Sequence, residues 1–463
     1  MASSELHYVS TRGQAPAVGF SDVLLAGLAP DGGLYLPQTW PQVPAGEWAG
    51  FAHKPYAEAA FAILRRLVGA DFSDAELTAD IDAAYASFDA AGVAPLRRIG
   101  PDTYLLELFH GPTLAFKDVA LQVLGRLFSR ALAKRGGRAT VVAATSGDTG
   151  SAAIAALGGL ANIDVFVLHP KGRVSEVQRR QMTTPPHANV HNIALEGTFD
   201  DAQAIVKALF ADTEFADAVH MTAVNSINFA RIAAQSVYYF TATAALRAPC
   251  TFVVPTGNFG DIFAGEAAMR MGLPARKLVI ATNENDIMAR TLHEGVYRSG
   301  PVHASLSPSM DIQVASNFER ALFEASGRDA GWMRTAMATF AKDRALTLPP
   351  GVIAALRGRY EAQRTTDAQT LETIARVHRE TGIVIDPHTA VAAHGRLGGG
   401  EGPTVILSTA HPAKFPDAVA KAIGAAPPVP ASLEGLFALR ERCETLPNDK
   451  GLVRDFIESK VSG

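Results

Sequence analysis

The chain has 463 residues, of which 48% are hydrophobic and 19% are charged. This composition predicts about two to four folded domains and excludes a chain that is disordered over most of its length. The 42 Lys and Arg residues against 46 Asp and Glu residues give a formal net charge of −4, which excludes the broad basic surface of a nucleic-acid-binding protein.

The N-terminal part predicts short strands and loops, followed by helices. Residues 1–50 alternate short apolar pieces with Gly and Pro, a pattern that is typical of loops and short strands. Residues 54–93 are rich in Ala and carry apolar residues at helical spacing, which predicts two helices.

From residue 104 onward, an apolar run, a loop and an amphipathic helix repeat along the chain. Two of the runs precede a Gly-rich loop and a helix-like segment, residues 151–157 in one case and 262–271 in the other. Strands that alternate with helices predict parallel sheets and the α/β class. The predicted buried strands are residues 139–144, 165–168, 251–255 and 404–407.

The two Gly-rich loops are candidate anion-binding sites. They are TSGDTG at residues 145–150 and TGNFGD at residues 256–261, and each lies between a strand and a helix. Glycines let backbone N–H groups turn toward an anion, and the helix N-terminus adds a favourable dipole. Neither loop is GxxxxGK[ST] or GxGxxG, so the pattern indicates a smaller phosphate ligand than ATP or a dinucleotide. A tight turn that needs Gly only for its geometry is the alternative.

Lys117 lies where the loop HGPTLAF opens into a helix, among apolar neighbours. A desolvated lysine has a lowered pKa and suits Schiff-base chemistry. An ordinary lysine that buries its stem and keeps its charge in water is the alternative.

The segment NSINFAR at residues 225–231 is a second candidate anion site. Ser226 is the expected N-cap of the helix that follows, and Arg231 comes about one turn later. An arginine fork beside amides and a hydroxyl suits a phosphate ester. A helix cap with a surface arginine is the alternative.

The cysteine content and the N-terminus predict a cytoplasmic protein. Cys250 and Cys443 are too few for a disulfide framework, and no Cys/His pattern indicates a metal site. The start of the chain lacks the apolar segment of a secretory signal, and no run approaches the ~20 apolar residues of a membrane span.

Taken together, the motifs resemble the threonine synthase family, within the fold-type II pyridoxal-phosphate (PLP) enzymes. Eight segments occur in the family's order, and together they span nearly the whole chain. They are residues 8–13, 31–37, 110–118, 144–150, 225–231, 255–261, 281–286 and 408–415.

The resemblance implies a role for each matching residue. Lys117 forms the Schiff base with PLP, and the hydroxyl of Thr409 faces the pyridine nitrogen and leaves it largely neutral. The cofactor phosphate is held by Gly257, Asn258, Phe259, Gly260 and Asp261. The substrate carboxylate is bound by Ser146, Gly147 and Thr149. The substrate phosphate is bound by Asn225, Ser226 and Arg231.

Asp148 departs from the pattern of more distant relatives. They have asparagine at this position, where it contacts the 3′-oxygen of PLP. The aspartate leaves open whether residue 148 contacts the cofactor in the same way.

The resemblance also implies the architecture. We expect an N-terminal domain at residues 1–95 and a catalytic region at residues 96–425. Within that region, two open, twisted, mostly parallel sheet domains enclose PLP. The large domain comprises residues 96–116 and 246–425, and the small domain comprises residues 117–245. Residues 426–463 are expected to form a helical tail.

The implied reaction converts O-phospho-L-homoserine and water to L-threonine and phosphate, with Lys117 as the base. A phospho-lyase that releases 2-oxobutyrate and a catalytically silent amino-acid-binding homologue are the alternatives. A serine/threonine dehydratase needs no substrate-phosphate pocket, so NSINFAR argues against it. We expect a small-molecule substrate and neither a nucleic-acid nor a membrane partner; a monomer and a homodimer both fit the sequence.

Overall fold

Two mostly parallel sheets form the framework of the protein. The structure is a computed structural model that describes residues 6–89, 92–145, 147–223, 225–398 and 401–461. The central strands are buried, because helices cover each sheet from both sides and the strands therefore need apolar side chains on both faces. The predicted α/β class is confirmed.

The N-terminal region packs its helices mainly against two long helices, Lys117–Lys134 and Phe229–Leu246. Its two short strands pair antiparallel, and its last helix begins with a capping box in which Ser73 and Glu76 exchange hydrogen bonds. Its elements are β1 (Tyr8–Ser10), α1 (Phe20–Ala26), β2 (Tyr35–Pro37), α2 (Ala45–Ala49), α3 (Tyr56–Val68) and α4 (Asp74–Tyr85).

The smaller sheet unit follows the first two strands of the larger one. Those two strands are β3 (Leu96–Arg98) and β4 (Thr103–Glu107). The elements after them are α5 (Lys117–Lys134), β5 (Ala139–Ala144), α6 (Asp148–Leu157), β6 (Ile163–Pro170), α7 (Glu176–Thr183), β7 (Val190–Glu196), α8 (Phe199–Ala211), α9 (Thr213–Ala218), β8 (Met221–Thr222) and α10 (Phe229–Leu246).

The rest of the larger unit completes the sheet that contains β3 and β4. Its elements are β9 (Cys250–Pro255), α11 (Gly260–Arg270), β10 (Ala275–Thr282), α12 (Ile287–Glu294), β11 (Val296–Arg298), α13 (Phe318–Ala325), α14 (Ala330–Asp343), β12 (Ala345–Thr347), α15 (Pro350–Arg359), β13 (Tyr360–Arg364), α16 (Asp367–Thr381), α17 (Pro387–Ala393), β14 (Thr404–Ser408) and α18 (Pro416–Ile423). The tail adds β15 (Glu444–Pro447) and α19 (Lys450–Lys460).

The strand orders show how the chain connects the two sheets. The larger sheet has the order β13-β10-β9-β14-β4-β3, and only the edge strand β3 runs antiparallel to its neighbour. The smaller sheet has the order β15-β7-β6-β5-β8 and is parallel throughout. The tail therefore contributes a strand to the smaller sheet in addition to its helix.

The predicted loops lie between the carboxyl ends of strands and the helices that follow. The loops after β4, β5, β9 and β14 all leave the carboxyl ends of parallel strands, which is where open α/β sheets bind ligands. None of the helices that the structure describes combines the length and the apolar character of a membrane-crossing segment.

Candidate active site

Lys117 is the first residue of α5 and lies beside the end of β14. The backbone N–H of Phe116 donates to the carbonyl of Thr409 at 2.8 Å, and Ala115 forms a bridge with Ala410. The chain that carries Lys117 is thus fixed against the segment that carries Thr409, and both residues are buried. The expected position of Lys117 at a loop-to-helix junction is confirmed.

The amine of Lys117 sits in a buried electrostatic cluster. Burial lowers its pKa, the positive charges of Lys414 and Arg231 lower it further, and Asp148 opposes the shift. A depressed pKa increases the fraction of neutral amine, which is the form that acts as a nucleophile or a base.

Asp148, at the first turn of α6, is held by groups from both sheet units. Its Oδ1 atom pairs with the Nζ atom of Lys414 at 2.7 Å and accepts from Nε2 of Gln178 at 2.8 Å. Its Oδ2 atom lies 3.5 Å from Nζ of Lys117 and 3.4 Å from the hydroxyl of Ser309. Burial raises the pKa of Asp148, but the two lysines outweigh burial and hold that pKa well below its usual range. Asp148 is therefore a permanent carboxylate.

The loop before α11 forms a close-fitting cradle. A Cβ atom on Gly257 would lie 2.9 Å from the carbonyl oxygen of Ser309 and 3.3 Å from the Cα of Met310, so only glycine fits. Phe259 has a φ of 64°, in the left-handed region, and α11 begins directly after it. The first N–H groups of a helix have no acceptor inside it, so those of Gly260 and Asp261 are available to an anion.

The carboxyl group of Asp261 contacts the hydroxyl groups of two tyrosines. The hydroxyl of Tyr238 donates to its Oδ1 atom, and the hydroxyl of Tyr239 donates to the same atom at 3.3 Å. Its Oδ2 atom is buried and finds no partner among the described residues. Burial raises the pKa of Asp261 to about 7. A group with this pKa is largely protonated below neutral pH, which limits its repulsion of a nearby phosphate.

The loop 225–228 lies directly against the cradle of α11. The side-chain amide of Asn317 donates to the carbonyls of both Ser226 and Asn258, each at 3.0 Å. The hydroxyl of Ser226 also lies 3.3 Å from that of Ser316, which donates to the side chain of Asn258. The short segment 316–317 therefore connects the two predicted phosphate loops.

The expectation that Ser226 caps α10 is wrong. The N-cap is Asn228, whose Oδ1 atom accepts from the N–H of Ala230 at 3.0 Å. The amide of Asn228 donates at the same time to the carbonyl of Leu24 at 2.8 Å, so this side chain joins the cap to the N-terminal region. Ser226 remains in the loop, with its hydroxyl toward Ser316.

Arg231 lies in the first turn of α10 and is only 5% exposed. Burial lowers its pKa to about 10, and the nearest acidic influences are Tyr238 and Asp261. Within the described part of the chain, no carboxylate forms an ion pair with Arg231. A buried guanidinium without a carboxylate is costly unless an anion binds to it, so Arg231 is a candidate anion-binding residue.

The loop before α6 is organised by Thr145. Its hydroxyl oxygen accepts from the N–H groups of Gly147 and Gly150, each at 3.0 Å. The N–H of Gly147 is thus engaged inside the loop, and the N–H groups of Asp148 and Thr149 remain for a ligand. Gly147 has a φ of 144°, and a Cβ there would meet the side chain of Gln178 at 2.5 Å. The predicted substrate residue Ser146 lies outside the described residues.

Two buried cations at this site were not predicted from the sequence. Lys414 is fully buried and lies in the segment STAHPAKF, in which the resemblance implies a role only for Thr409. Arg320 is also fully buried; it donates to Asn317 and, at 2.7 Å, to the carbonyl of Ile227. Arg320 thereby supports the loop of Ser226, but an arginine inside an amphipathic helix has no distinguishing sequence signal.

The arrangement fits a phosphorylated aldehyde such as PLP. It provides a buried amine at Lys117, a glycine cradle at a helix N-terminus and a buried guanidinium at Arg231. An amine carries the aldehyde, and a helix N-terminus that a Cβ would obstruct carries its phosphate. The fold and the site thus define a fold-type II PLP enzyme, and the sequence profile described as "Pyridoxal-phosphate dependent enzyme" matches residues 89–350.

Two further profiles identify the family. "Threonine synthase N terminus" matches residues 7–85, and "Threonine synthase, C-terminal" matches residues 389–457. The curated threonine synthase of Pseudomonas aeruginosa is 50% identical over 459 residues, which is 98% of each chain. The chain belongs to the threonine synthase family.

Solved structures agree with this assignment and with the cofactor. The PLP-bound threonine synthase of Brucella melitensis superimposes with a TM-score of 0.97 at 49% identity, covering 99% of this chain and 100% of the other. The yeast threonine synthase superimposes with a TM-score of 0.93 at 38% identity and covers 98% of each chain. The predicted PLP dependence and the predicted lyase class are confirmed.

Proposed function

We propose that this protein converts O-phospho-L-homoserine and water to L-threonine and phosphate. One observation supports the proposal: besides the cradle of Gly257, a buried guanidinium without an ion-pair partner among the described residues, that of Arg231, acts on Lys117. One phosphate site suffices for a cofactor, whereas a phosphorylated substrate needs a second. The domain limits expected from the sequence, 96–425 for the catalytic region, and a cytoplasmic location belong to the same proposal.

Lys117 has two tasks in this proposal. It holds the cofactor, and after the substrate amine has displaced it, it moves protons. PLP supplies an electron sink that makes the protons near the amino-acid nitrogen acidic. The neutral amine of Lys117 takes the proton from Cα, gives it up and, neutral again, takes one from Cβ as phosphate leaves from Cγ. Lys117 passes this second proton to Cγ. Water bonds through its oxygen to Cβ and loses a proton to the released phosphate, and return of the first proton to Cα completes threonine.

The cofactor is held by the backbone more than by charged side chains. Residues 257–261 present N–H groups at the start of α11, and Asp261 contributes its N–H rather than its carboxyl group, which faces Tyr238. We assign the hydroxyl of Thr409 to the pyridine nitrogen. We assign Asp148 to the side of the cofactor that bears the 3′-oxygen.

The substrate is held at both of its ends. Its carboxylate binds the loop of Ser146, Gly147 and Thr149, at the N-terminus of α6. Its phosphate binds Asn225, Ser226 and Arg231. Asn317 fixes the loop of Ser226 to the cofactor cradle, so the two phosphates are held at a constant separation.

A product balance tests the proposal. Purified protein is incubated with PLP and O-phospho-L-homoserine, and phosphate, threonine and 2-oxobutyrate are quantified together. We expect one threonine for each phosphate. Phosphate matched by 2-oxobutyrate would make the protein a phospho-lyase with the same site. No phosphate release from PLP-loaded protein would refute the assignment of the second anion site.

A further inference from the structure

Two buried lysines share one carboxylate at the centre of the site. Lys414 is 0% exposed and Lys117 is 8% exposed, and the Nζ atoms of both approach Asp148. Asp148 is the only Asp or Glu that forms an ion pair with either lysine in the part of the chain that the structure describes. Asp148 therefore faces two amines, and the buried carboxyl group of Asp118 acts on Lys414 as well, without forming an ion pair with it among the described residues.

The two lysines do not share Asp148 equally. Lys414 lies 2.7 Å from Oδ1, and its ammonium also donates to the carbonyl of Thr113 at 2.7 Å. Gln178 donates to the same Oδ1 atom at 2.8 Å. Lys117 lies 3.5 Å from Oδ2, which is a looser approach. Lys414 is therefore the closely held partner of Asp148, and Lys117 is the more loosely held partner.

The charges around Lys117 come from every element that packs on it. Asp148 belongs to α6, Lys414 to the loop after β14, Arg231 to α10 and Asp261 to α11. Asp148 favours the ammonium form of Lys117, while Lys414 and Arg231 oppose it. Without Lys414, Lys117 would be the sole cation on a buried carboxylate and would remain protonated.

We propose that Lys414 is a positioning residue of the active site, which occupies the carboxylate of Asp148 and thereby leaves Lys117 as a reactive neutral amine. The proposal rests on the assignment of Lys117 to the cofactor and to proton transfer. Lys414 acts through Asp148 and exchanges no proton with the substrate. The fixed contacts of Lys414 with Thr113 and Asp148 suit this role, because its charge must stay in place while Lys117 moves.

Chemical labelling measures the protonation of Lys117 without turnover. The full-length protein, freed of PLP, is treated with a trace of acetic anhydride at a series of pH values, and acetylation of Lys117 is quantified by peptide mass spectrometry. In Lys414→Gln we expect the labelling profile to move about one pH unit upward, so that labelling below the midpoint is about tenfold slower. Lys414→Arg keeps the charge and is the matched control, with a profile close to that of the wild type.

The holoenzyme provides a second reading of the same ionisation. The acid limb of the pH profile of kcat should move upward in Lys414→Gln by the same amount and return in Lys414→Arg. A merely structural role would lower stability and maximal activity but would leave both midpoints in place. Unchanged or downward-shifted midpoints in Lys414→Gln would overturn the proposal.

A second pair of variants covers a failure of Lys414→Gln to fold. Asp148→Asn removes the carboxylate, so the midpoint of Lys117 should move downward. The double variant Asp148→Asn with Lys414→Gln buries no unpaired carboxylate, and its midpoint should equal that of Asp148→Asn alone, because Lys414 acts through Asp148. A higher midpoint in the double variant would show a direct effect of the Lys414 charge on Lys117 and would refute the proposal. Borohydride trapping of PLP on a lysine other than Lys117 would instead refute the proposed function, so the two failures are distinguishable.

Discussion

Arg231→Ala tests whether the buried guanidinium binds the phosphate of the substrate. Arg231 is 5% exposed, and its pKa is lowered by burial to about 10, so it remains charged at neutral pH. A guanidinium fork makes about two charge-assisted hydrogen bonds to a phosphate, each contributing about 1.5–3 kcal/mol. Loss of both costs at least about 3 kcal/mol of binding, which corresponds to about a 100-fold fall in kcat/KM.

The assay separates substrate binding from cofactor binding. Phosphate release is measured over a range of O-phospho-L-homoserine concentrations, and the dissociation constant of PLP is measured by its visible absorbance. We expect kcat/KM to fall while PLP affinity stays the same. Arg231→Lys keeps the charge but loses the fork, so its kcat/KM should lie between those of the wild type and Arg231→Ala. Equal losses of substrate and PLP binding would refute the reasoning.

Three further predictions concern the lysine, the cradle and Asp261. Lys117→Ala should abolish threonine formation and leave the thermal unfolding of the PLP-free protein unchanged; measurable turnover would contradict the role of its amine. Gly257→Ala places a Cβ atom 2.9 Å from the carbonyl oxygen of Ser309, so PLP affinity measured by equilibrium dialysis should fall. In Gly260→Ala the nearest atom to the new Cβ is a side-chain amide nitrogen at 3.3 Å, and the nearest backbone atom is 3.7 Å away, so this variant should retain more affinity; the opposite order would contradict the cradle. Because burial raises the pKa of Asp261 from 3.8 to about 7, its protonated form stabilises the fold most below about pH 4, and that contribution is lost as the pH rises to about 7. The free energy of unfolding, measured in urea, should therefore fall less between about pH 4 and about pH 7 for Asp261→Asn than for the wild type, by a few kcal/mol. If the two free energies change with pH in parallel, Asp261 does not titrate in this range.

The central strands could be predicted from the sequence because parallel strands buried on both faces are continuous apolar runs. Residues 139–144 were predicted as a strand and form β5 over the same residues. The strand β15 in the tail had no such signal. Three of its four residues are exposed, and its pairing with β7 joins segments that are far apart in the chain. Edge strands of this kind depend on tertiary contacts.

Helix starts were predicted less well than strands. We expected the first helix after β5 over residues 151–157, but α6 already begins at Asp148, because the hydroxyl of Thr145 and the unusual φ of Gly147 shape the turn before it. The cap of α10 was misplaced for a related reason. Asn228 makes a long-range contact as well as a cap, and no local rule distinguishes it from Ser226.

The location of Lys117 could be predicted because it depends on local order: an apolar run, a loop and a helix. The ion pair between Asp148 and Lys414 could not be predicted. Lys414 is far away in the sequence and belongs to the other sheet unit, so only the packing of the two units shows that it is the closer cation. Lys414 nevertheless lies in the same motif as Thr409. Complete burial of a lysine indicates that it has a specific partner.

The charge distribution explains why the site suits two phosphates. PLP and the proposed substrate each bring a phosphate into the same cleft, where their repulsion is strong unless cations oppose it. The site offers the N-termini of α6, α10 and α11, each equivalent to about half a positive charge, together with Lys414 and Arg231. Of the carboxyl groups that act on Lys117, Asp148 is already neutralised by Lys414, and burial favours the protonated form of Asp261. Lys414, Arg231 and the three helix N-termini therefore oppose the repulsion between two phosphates, as the binding of a phosphate-ester substrate beside the cofactor requires.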